Sequence, residues 1–366
     1  MVPGYVNAHT HFYSGLAPLG MPAPAPPPEN FVQILERVWW RLDRALDAES
    51  LRASVRLYVA EALLHGTTTL IDHHESPSFI DGSLDVIADA CDELGARALL
   101  TFGATDRNGG RAEGGRGLAE CRRFIRENRR PNVRAVVGLH ASFTCSNETV
   151  AEAAALCREL GTVLHVHMAE DGADVDDARR RGHEGPLERL LALGALPPGS
   201  IMAHGVHLSE AQVRAAAAHG LWLVQNPRSN EGNRVGFAAA LKVSDRVGLG
   251  TDGYPADMPA ELAHLERIAA GAGAGVEEAV LRARLESGLT LAAERFGAGA
   301  LARDAVELET SAAAAGGAPA ATRARRVVVG GVPVVEGGRL VRADLEEIRA
   351  HAREQAARLW RRMAAL

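Results

Sequence analysis

The sequence is poor in the features that mark secreted, membrane and nucleic-acid-binding proteins. Only four of its 366 residues are cysteine, and they lie far apart with no CxxC pair: Cys91, Cys121, Cys145 and Cys157. We interpret them as reduced thiols of a cytoplasmic protein. No apolar run is long enough to span a membrane, and the N-terminus lacks the basic segment of a signal peptide. With 40 basic and 46 acidic residues, the net charge of −6 favours neither nucleic acid nor an anionic membrane as a partner.

Short apolar runs alternate with longer amphipathic stretches over the first 250 residues. Most of the runs are continuous, as in parallel strands that are buried on both faces. Eight of them are predicted strands, at residues 5–9, 67–72, 97–102, 134–139, 162–167, 200–204, 221–225 and 247–250. Eight strand–helix units predict a (β/α)8 TIM-type barrel. A doubly wound sheet is the alternative, and it is less favoured because no GxGxxG follows the first strand.

Helical patterns separate these strands. The longest covers residues 29–65 and contains a polar break between Asp43 and Glu49, so it predicts two helices. Ser209 followed by Gln212 fits a capping box, and Gly95, Gly161 and Gly220 stand where helices should end. Further helices are predicted at residues 83–94, 117–128, 148–160, 186–193, 209–219 and 236–245.

The composition changes after residue 300. Residues 311–322 are rich in Ala and Gly and predict a linker, and residues 326–335 predict a strand, a Gly-Gly turn and a second strand. A further turn leads to a short strand at 339–341, and residues 343–363 form an amphipathic helical pattern. We therefore expect a barrel at 1–305, a linker and the strands of a small β-sandwich at 306–342, and a helix at 343–366.

Two histidines at the end of the first predicted strand are the strongest sign of chemistry. Side chains alternate along a strand, so His9 and His11 point to the same side and form half of a metal site. In a barrel the active site lies at the carboxyl ends of the strands. The other polar residues near predicted strand ends are His140, His165, His167, Glu170, His204 and Asp252. Each alone has an ordinary structural interpretation, but together they are typical of a catalytic metal site with an open position for water.

Six segments carry a resemblance to a known family. The chain resembles the amidohydrolase superfamily, in its mononuclear cytosine-deaminase/chlorohydrolase branch, at residues 3–11, 65–69, 165–170, 203–207, 226–230 and 250–253. Within that branch it is most similar to the SsnA-type aminohydrolases. This narrower resemblance rests on residues 30–43, 138–144, 169–175 and the segment Asp72-His73-His74-Glu75-Ser76-Pro77.

The resemblance implies a role for each rim residue. His9, His11, His167 and Asp252 would bind one divalent metal, and such a ligand set suits Zn first and also Fe or Mn. Glu170 and His204 would transfer protons and polarise the substrate, with Asp252 also acting in catalysis. His140 and Arg107 would face the substrate.

The near absence of lysine bears on the number of metal ions. Members of the superfamily with two metals often bridge them with a carboxylated lysine on the fourth strand. The predicted strand at 134–139 has no lysine, and Lys242, the only one in the chain, lies between the seventh and eighth strands. We therefore expect one metal, which argues against dihydroorotase-like and hydantoinase-like chemistry.

The resemblance implies hydrolytic deamination of an aromatic or cyclic amidine, such as a purine, pterin or triazine, by metal-bound hydroxide. A chlorohydrolase, a cyclic amidase and a truncated, inactive metal-binding protein remain alternatives. We expect a small heterocyclic substrate and a homodimer. In relatives roughly 50 residues precede the barrel and help to build the β-sandwich, and they are missing here. The exposed edges of the C-terminal strands would then pair in a dimer, or the start codon is misassigned.

Several conspicuous residues fit structural roles better than chemical ones. His73 and His74 are interpreted as a polar loop, with one of them lining the pocket as the alternative. His165 is interpreted as a buried, hydrogen-bonded residue one layer below His167. Trp39 and Trp40 are interpreted as helix core, with a role as a lid over the substrate as the alternative. Gln225 stands where relatives often carry a histidine.

Overall fold

The computed structural model describes residues 1–310 and 322–366. Within these residues the strands are β1 Tyr5–Thr10, β2 Thr67–Asp72, β3 Arg97–Leu100, β4 Gly103–Ala104, β5 Val133–Ala135, β6 Val137–Ala141, β7 Leu164–Met168, β8 Ile201–His204, β9 Trp222–Gln225, β10 Val247–Leu249, β11 Ala305–Thr310, β12 Thr322–Val329, β13 Val332–Glu336 and β14 Arg339–Leu340. The α-helices are α1 Phe31–Ile34, α2 Trp40–Ala45, α3 Ala48–Leu64, α4 Ser83–Leu94, α5 Arg111–Glu127, α6 Asn147–Leu160, α7 Gly172–Arg180, α8 Pro186–Ala192, α9 Glu210–Ala218, α10 Pro227–Gly232, α11 Met258–Gly271, α12 Glu278–Phe296, α13 Ala298–Leu301 and α14 Leu345–Ala364. All of the predicted linker except Thr322 lies outside the described residues.

The first ten strands form a closed parallel barrel. Two parallel sheets, β1-β2-β3-β5 and β10-β9-β8-β7-β6-β4, share its wall. They are joined on one side where the amide of Val136 donates to the carbonyl of Leu100 at 3.0 Å. They are joined on the other side where the amide of Thr251 donates to the carbonyl of His9, also at 3.0 Å. The predicted (β/α)8 barrel is therefore confirmed, with its third strand divided into β3 and β4 and its fourth into β5 and β6.

Local signals placed the ends of several helices correctly, although α7, α11 and α12 were not predicted and α5 begins at Arg111, before its predicted start at residue 117. The break inside the first long helical pattern falls between α2 and α3, where Asp47 caps the amide of Ser50 at 3.0 Å. Ser209 and Gln212 form the predicted capping box of α9. The predicted helix at 236–245 is wrong: only a short 3-10 turn, Ala239–Val243, forms there. Gly236 has φ +110° and Ala238 has ψ +66°, and neither is a helical conformation, so a helix cannot begin at the predicted start.

The C-terminal strands form a separate antiparallel sheet in the order β11-β12-β13-β14. Its predicted Gly-Gly turn is present, and Gly330 and Gly331 have φ of +60° and +90°. Val327 and Val335 are buried on the face that packs against α3, and α14 lies along α2 and α3. The edge of β11 is extended by Val2, which exchanges two 2.8 Å backbone hydrogen bonds with Val306.

None of the helices in the described residues combines the length and the apolar character that a membrane crossing requires.

A buried ion pair joins the barrel to the C-terminal sheet. Arg97 of β3 donates to both carboxylate oxygens of Asp304, and Asp304 also accepts the amide of Gly330 at 2.7 Å. We expect Asp304→Ala to lower the free energy of unfolding by about 3–5 kcal/mol, because it leaves the guanidinium of Arg97 buried without a counter-charge. Urea denaturation followed by circular dichroism measures this loss. Asp81→Ala, which removes the exposed partner of Arg116, is the control and should cost less than about 1 kcal/mol; equal losses in the two variants would contradict the prediction.

Candidate metal centre and active site

Four side chains converge at the carboxyl ends of the barrel strands. His9 and His11 lie at the end of β1, His167 in β7 and Asp252 just after β10. One ligand atom from each lies within 4.8 Å of the others. Asp252 Oδ1 is 2.8 Å from His11 Nε2 and 3.3 Å from His9 Nε2, and the Nε2 atoms of His11 and His167 are 3.2 Å apart. The structure thus brings together the four residues that the sequence predicts as metal ligands.

The other ring nitrogen of each histidine is held by a fixed partner. His11 Nδ1 donates to the carbonyl of His73 at 2.5 Å, and His167 Nδ1 donates to the carbonyl of His140 at 2.6 Å. His9 Nδ1 lies 3.0 Å from Nε2 of His165, which is buried one layer deeper, as predicted. These contacts orient the three rings and leave their Nε2 atoms facing one point.

The donor set fits a divalent metal ion. His9 Nε2 is buried and has no hydrogen-bond partner within the described residues, as expected for an atom that binds a cation. Burial lowers the pKa of His9 to about 3, so this imidazole is neutral and able to ligate. Burial would lower the pKa of His11 too, but the charges of Asp252 and Glu75 raise it to about 10. The carboxylates therefore create a strongly cation-attracting point at the centre of the cluster.

Glu170 and His204 form a second pair beside these four residues. Glu170 Oε2 is 3.6 Å from His204 Nε2, and Glu170 Oε1 accepts a hydrogen bond from Asn233 Nδ2 at 3.1 Å. Asn230 Oδ1 accepts a hydrogen bond from His204 Nδ1 at 2.8 Å, so the Nε2 atom of His204 is directed toward Glu170. Burial raises the pKa of Glu170 to about 7, which lets the carboxyl both give and take a proton near neutral pH.

Backbone strain is concentrated at the same rim. Ala169, His204 and Asp252 have φ of +47°, +77° and +51°, in the left-handed region that non-glycine residues rarely adopt. Arg234 is the other non-glycine residue with positive φ among the described residues. Strain of this kind persists where the surrounding structure imposes it, and it is typical of active sites.

A cavity that is open to solvent and encloses only a small space lies over the two groups. Its outer wall is formed by α1 and by the π-helical turn Leu35–Trp39, and it also includes Trp40, Tyr13 and Phe143. A flat heterocycle could stack against this aromatic wall. Trp39 and Trp40 were predicted either to pack as helix core or to cover the substrate. Their position in the cavity wall favours the second prediction.

The two predicted substrate-binding residues lie in different places. His140 lines the cavity, and its Nδ1 lies 2.8 Å from the hydroxyl of Thr144. Arg107 does not line it. The guanidinium of Arg107 pairs with the buried Asp43 and lies 5.0 Å from the ring centroid of Trp40, outside the wall. Direct contact of Arg107 with a substrate therefore stays a prediction.

Several polar residues at the site were missed by sequence reasoning. Ser229 donates to Oδ2 of Asp252, and Asn230 and Asn233 hold His204 and Glu170. The segment 226–230 belongs to the family resemblance, so its polar side chains could have been singled out. Glu75 also lines the cavity, and His73, predicted as part of a polar loop, is instead buried and bonded to it at 2.7 Å.

The chain is similar to known deaminases and to solved structures of the same fold. The 5′-deoxyadenosine deaminase of Methanopyrus kandleri is 28% identical over 389 aligned residues, which cover 98% of this chain and 86% of that protein. The crystal structure of an adenosine deaminase from Xanthomonas campestris with bound zinc is 25% identical, with a TM-score of 0.78 over 98% of this chain and 85% of its own. The zinc complex of atrazine chlorohydrolase from Arthrobacter aurescens TC1 is 23% identical and has the same fold, with a TM-score of 0.75 over 97% of this chain and 88% of its own.

A family model decides the assignment. The model of the amidohydrolase family matches residues 1–302, which is most of the chain. The resemblance, the barrel and the class of hydrolase acting on carbon–nitrogen bonds, all predicted from the sequence, are confirmed by these matches. The chain therefore belongs to the amidohydrolase family.

Proposed function

We propose that this chain removes an amino group from an aromatic or cyclic amidine by hydrolysis, with one zinc ion bound by His9, His11, His167 and Asp252. The observation that carries the proposal is the placement of this ligand cluster and the Glu170–His204 pair at one cavity. A homodimer in the cytoplasm is part of the proposal and rests on the sequence alone.

The donor set supports a single ion. Three imidazoles and one carboxylate suit zinc, and Fe or Mn would accept the same ligands. When bound, such an ion acts as a Lewis acid and lowers the pKa of a water that it holds. Neither β5 nor β6 contains a lysine, and Lys242 lies 3.4 Å from Glu210, in an ion pair at the protein surface. No lysine is therefore placed to bridge a second ion.

The protein's own groups provide the proton transfers. Asp252, held by Ser229, accepts a proton from the attacking water as the oxygen adds to the carbon that bears the amine. Glu170 gives its proton to the ring nitrogen, takes the remaining hydroxyl proton of the added water and passes it to the amine, so that the carbon–nitrogen bond breaks and ammonia leaves. The proton held by Asp252 then returns to Glu170. His204, oriented by Asn230, stabilises the charge that develops on the substrate.

The nature of the leaving group favours deamination. An amine leaves readily only after it has been protonated, whereas chloride leaves as an anion and needs no proton. Glu170 lies beside the ligand cluster with an oxygen held by Asn233, in a position to protonate an amine. A site that acts as a proton donor at this point therefore fits an amine better than chloride.

The test combines metal analysis with a search for the product. Purified protein would be assayed for bound metal and then for ammonia and chloride release from purines, pterins, aminotriazines and chlorotriazines. We expect about one equivalent of zinc per chain and ammonia from at least one of these classes. Chloride release alone would show a chlorohydrolase, and metal binding without any turnover would show an inactive metal-binding protein; either result would overturn the proposal.

A further inference from the structure

Glu75 lines the cavity, and one of its two carboxylate oxygens accepts no hydrogen bond within the described residues. It follows β2 closely, and only 1% of the residue is exposed. Its Oε1 accepts a hydrogen bond from His73 Nδ1 at 2.7 Å, while its Oε2 has no partner within the described residues. His11 Nδ1 lies 3.6 Å from Oε2, but that nitrogen donates to the carbonyl of His73.

Each of the other carboxylates that line the cavity has at least one oxygen with a donor, and none of their oxygens is both buried and without a partner within the described residues. Asp174 accepts the amides of Ala169 and Phe143 at 2.8 and 3.0 Å. Asp171 accepts the amide of Ala173 at 2.9 Å. Glu170 and Asp252 accept from Asn233 and Ser229, as described above. A buried carboxylate oxygen without a donor is costly, so Glu75 Oε2 is the acceptor here that a bound ligand would satisfy.

The position of this carboxylate is built into the barrel. His73 Nε2 lies 3.0 Å from the carbonyl of Leu139, so the ring that holds Glu75 is anchored at both nitrogens. A Cβ placed on Gly103 would lie 2.5 Å from His73 Cε1 and 2.7 Å from Glu75 Oε1. Only glycine at position 103 therefore leaves room for this arrangement.

The cavity has more carboxylates than other charged side chains in its lining within the described residues. Its lining within the described residues has no Lys or Arg, and its carboxylates are Glu75, Glu170, Asp171, Asp174 and Asp252. The guanidinium of Arg107 pairs with Asp43 outside the wall. A ligand in this cavity would meet no Lys or Arg side chain among the described residues that could pair with an anionic group, which disfavours anions.

We propose that Glu75 determines substrate specificity by accepting, at Oε2, a hydrogen bond from a ring or exocyclic N–H of the substrate. The favoured substrates are neutral or protonated aminoheterocycles that present such an N–H, and anionic analogues are excluded. This inference rests on the proposed function, because it names the class of amidine that the same site takes.

The test measures binding in a background that does not turn over. In Glu170→Gln protein, isothermal titration calorimetry would compare guanine and pterin with their ring N-methyl analogues, and pterin with the anionic 6-carboxypterin. Glu75→Gln would then be added to the same background. Asp171→Asn is the matched control, because it removes a charge from the same cavity but its oxygen already has a donor.

We expect Glu75→Gln to weaken the binding of at least one parent heterocycle roughly tenfold or more, while the analogue methylated at the contacted nitrogen changes less than about twofold. Pterin should bind more tightly than 6-carboxypterin, and Glu75→Gln should reduce the ratio of their two dissociation constants. Asp171→Asn should change the dissociation constants of a parent heterocycle and of its methyl analogue by the same factor. Neither variant should lose metal.

Three results would overturn the inference. They are an equal effect of Glu75→Gln on parent and methyl analogue, a loss of metal in that variant, and the absence of binding by both parents. Failure of the proposed function is a separate result. If unmodified protein bound the heterocycles as expected and yet released no ammonia from any of them, that result would contradict the proposed deamination. It would still support recognition of the substrate by Glu75.

Discussion

Glutamine in place of Glu170 is expected to abolish turnover while the protein keeps its metal. The amide preserves the size of the side chain but can neither take nor give the proton that a leaving amine requires. Loss of such a group typically costs about 10²–10⁴ in rate. Since Glu170 is not one of the four clustered ligands, the metal content should stay within error of the unmodified protein.

Ammonia release and metal analysis on the same preparations measure this prediction. The control is Glu184→Gln, because Glu184 is an exposed glutamate away from the cavity lining. It should leave both readings unchanged. Activity retained by Glu170→Gln would mean that another group protonates the leaving amine, and a parallel loss of metal would mean that Glu170 helps to hold the ion.

Alanine in place of His167 is expected to remove metal and turnover together. His167 supplies one of three imidazoles, and its Nε2 lies 3.2 Å from that of His11. Loss of a residue that only supports a ligand typically lowers metal affinity about 10–100-fold, so loss of the ligand itself should cost more. The barrel should still form, because the hydrophobic residues of β7 remain in place.

The measurements are zinc titration against a competing chelator, ammonia release and circular dichroism. His219→Ala is the matched control, because His219 is an exposed histidine at the end of α9. It should bind metal like the unmodified protein. Normal metal affinity and activity in His167→Ala would remove this residue from the ligand set.

The barrel was predictable because its signals are local. Each buried parallel strand is a continuous apolar run, and the eight predicted runs overlap the barrel strands of the structure. Capping residues such as Asp47 and Ser209 act within a few residues of a helix end, so their pattern can be read directly along the chain. The prediction failed at 236–245, where a hydrophobic pattern resembled a helix but Gly236 takes a non-helical φ.

The cluster of His9, His11, His167 and Asp252 was predictable for a topological reason. Parallel barrel strands all end at one rim, so polar residues at separate strand ends meet there whatever their distance along the chain. His9 and Asp252 are far apart in sequence, yet their side chains lie 3.3 Å apart. The partners that orient this cluster were not predictable, because Ser229, Asn230 and Asn233 lie on the turn and short helix after β9 with no periodic signal.

The sequence by itself determined the order of the strands and which side chains reach the rim, since both follow from alternation and apolar runs along one segment. Only the tertiary structure decided which polar group bonds to which. Asp43 on α2 pairs with Arg107, which lies in the turn before α5 and not in the cavity lining. His73 donates a hydrogen bond to Oε1 of Glu75, and Oε2 has no partner within the described residues. Such pairings depend on which donors and acceptors meet across the packed barrel, and no spacing along the chain encodes that.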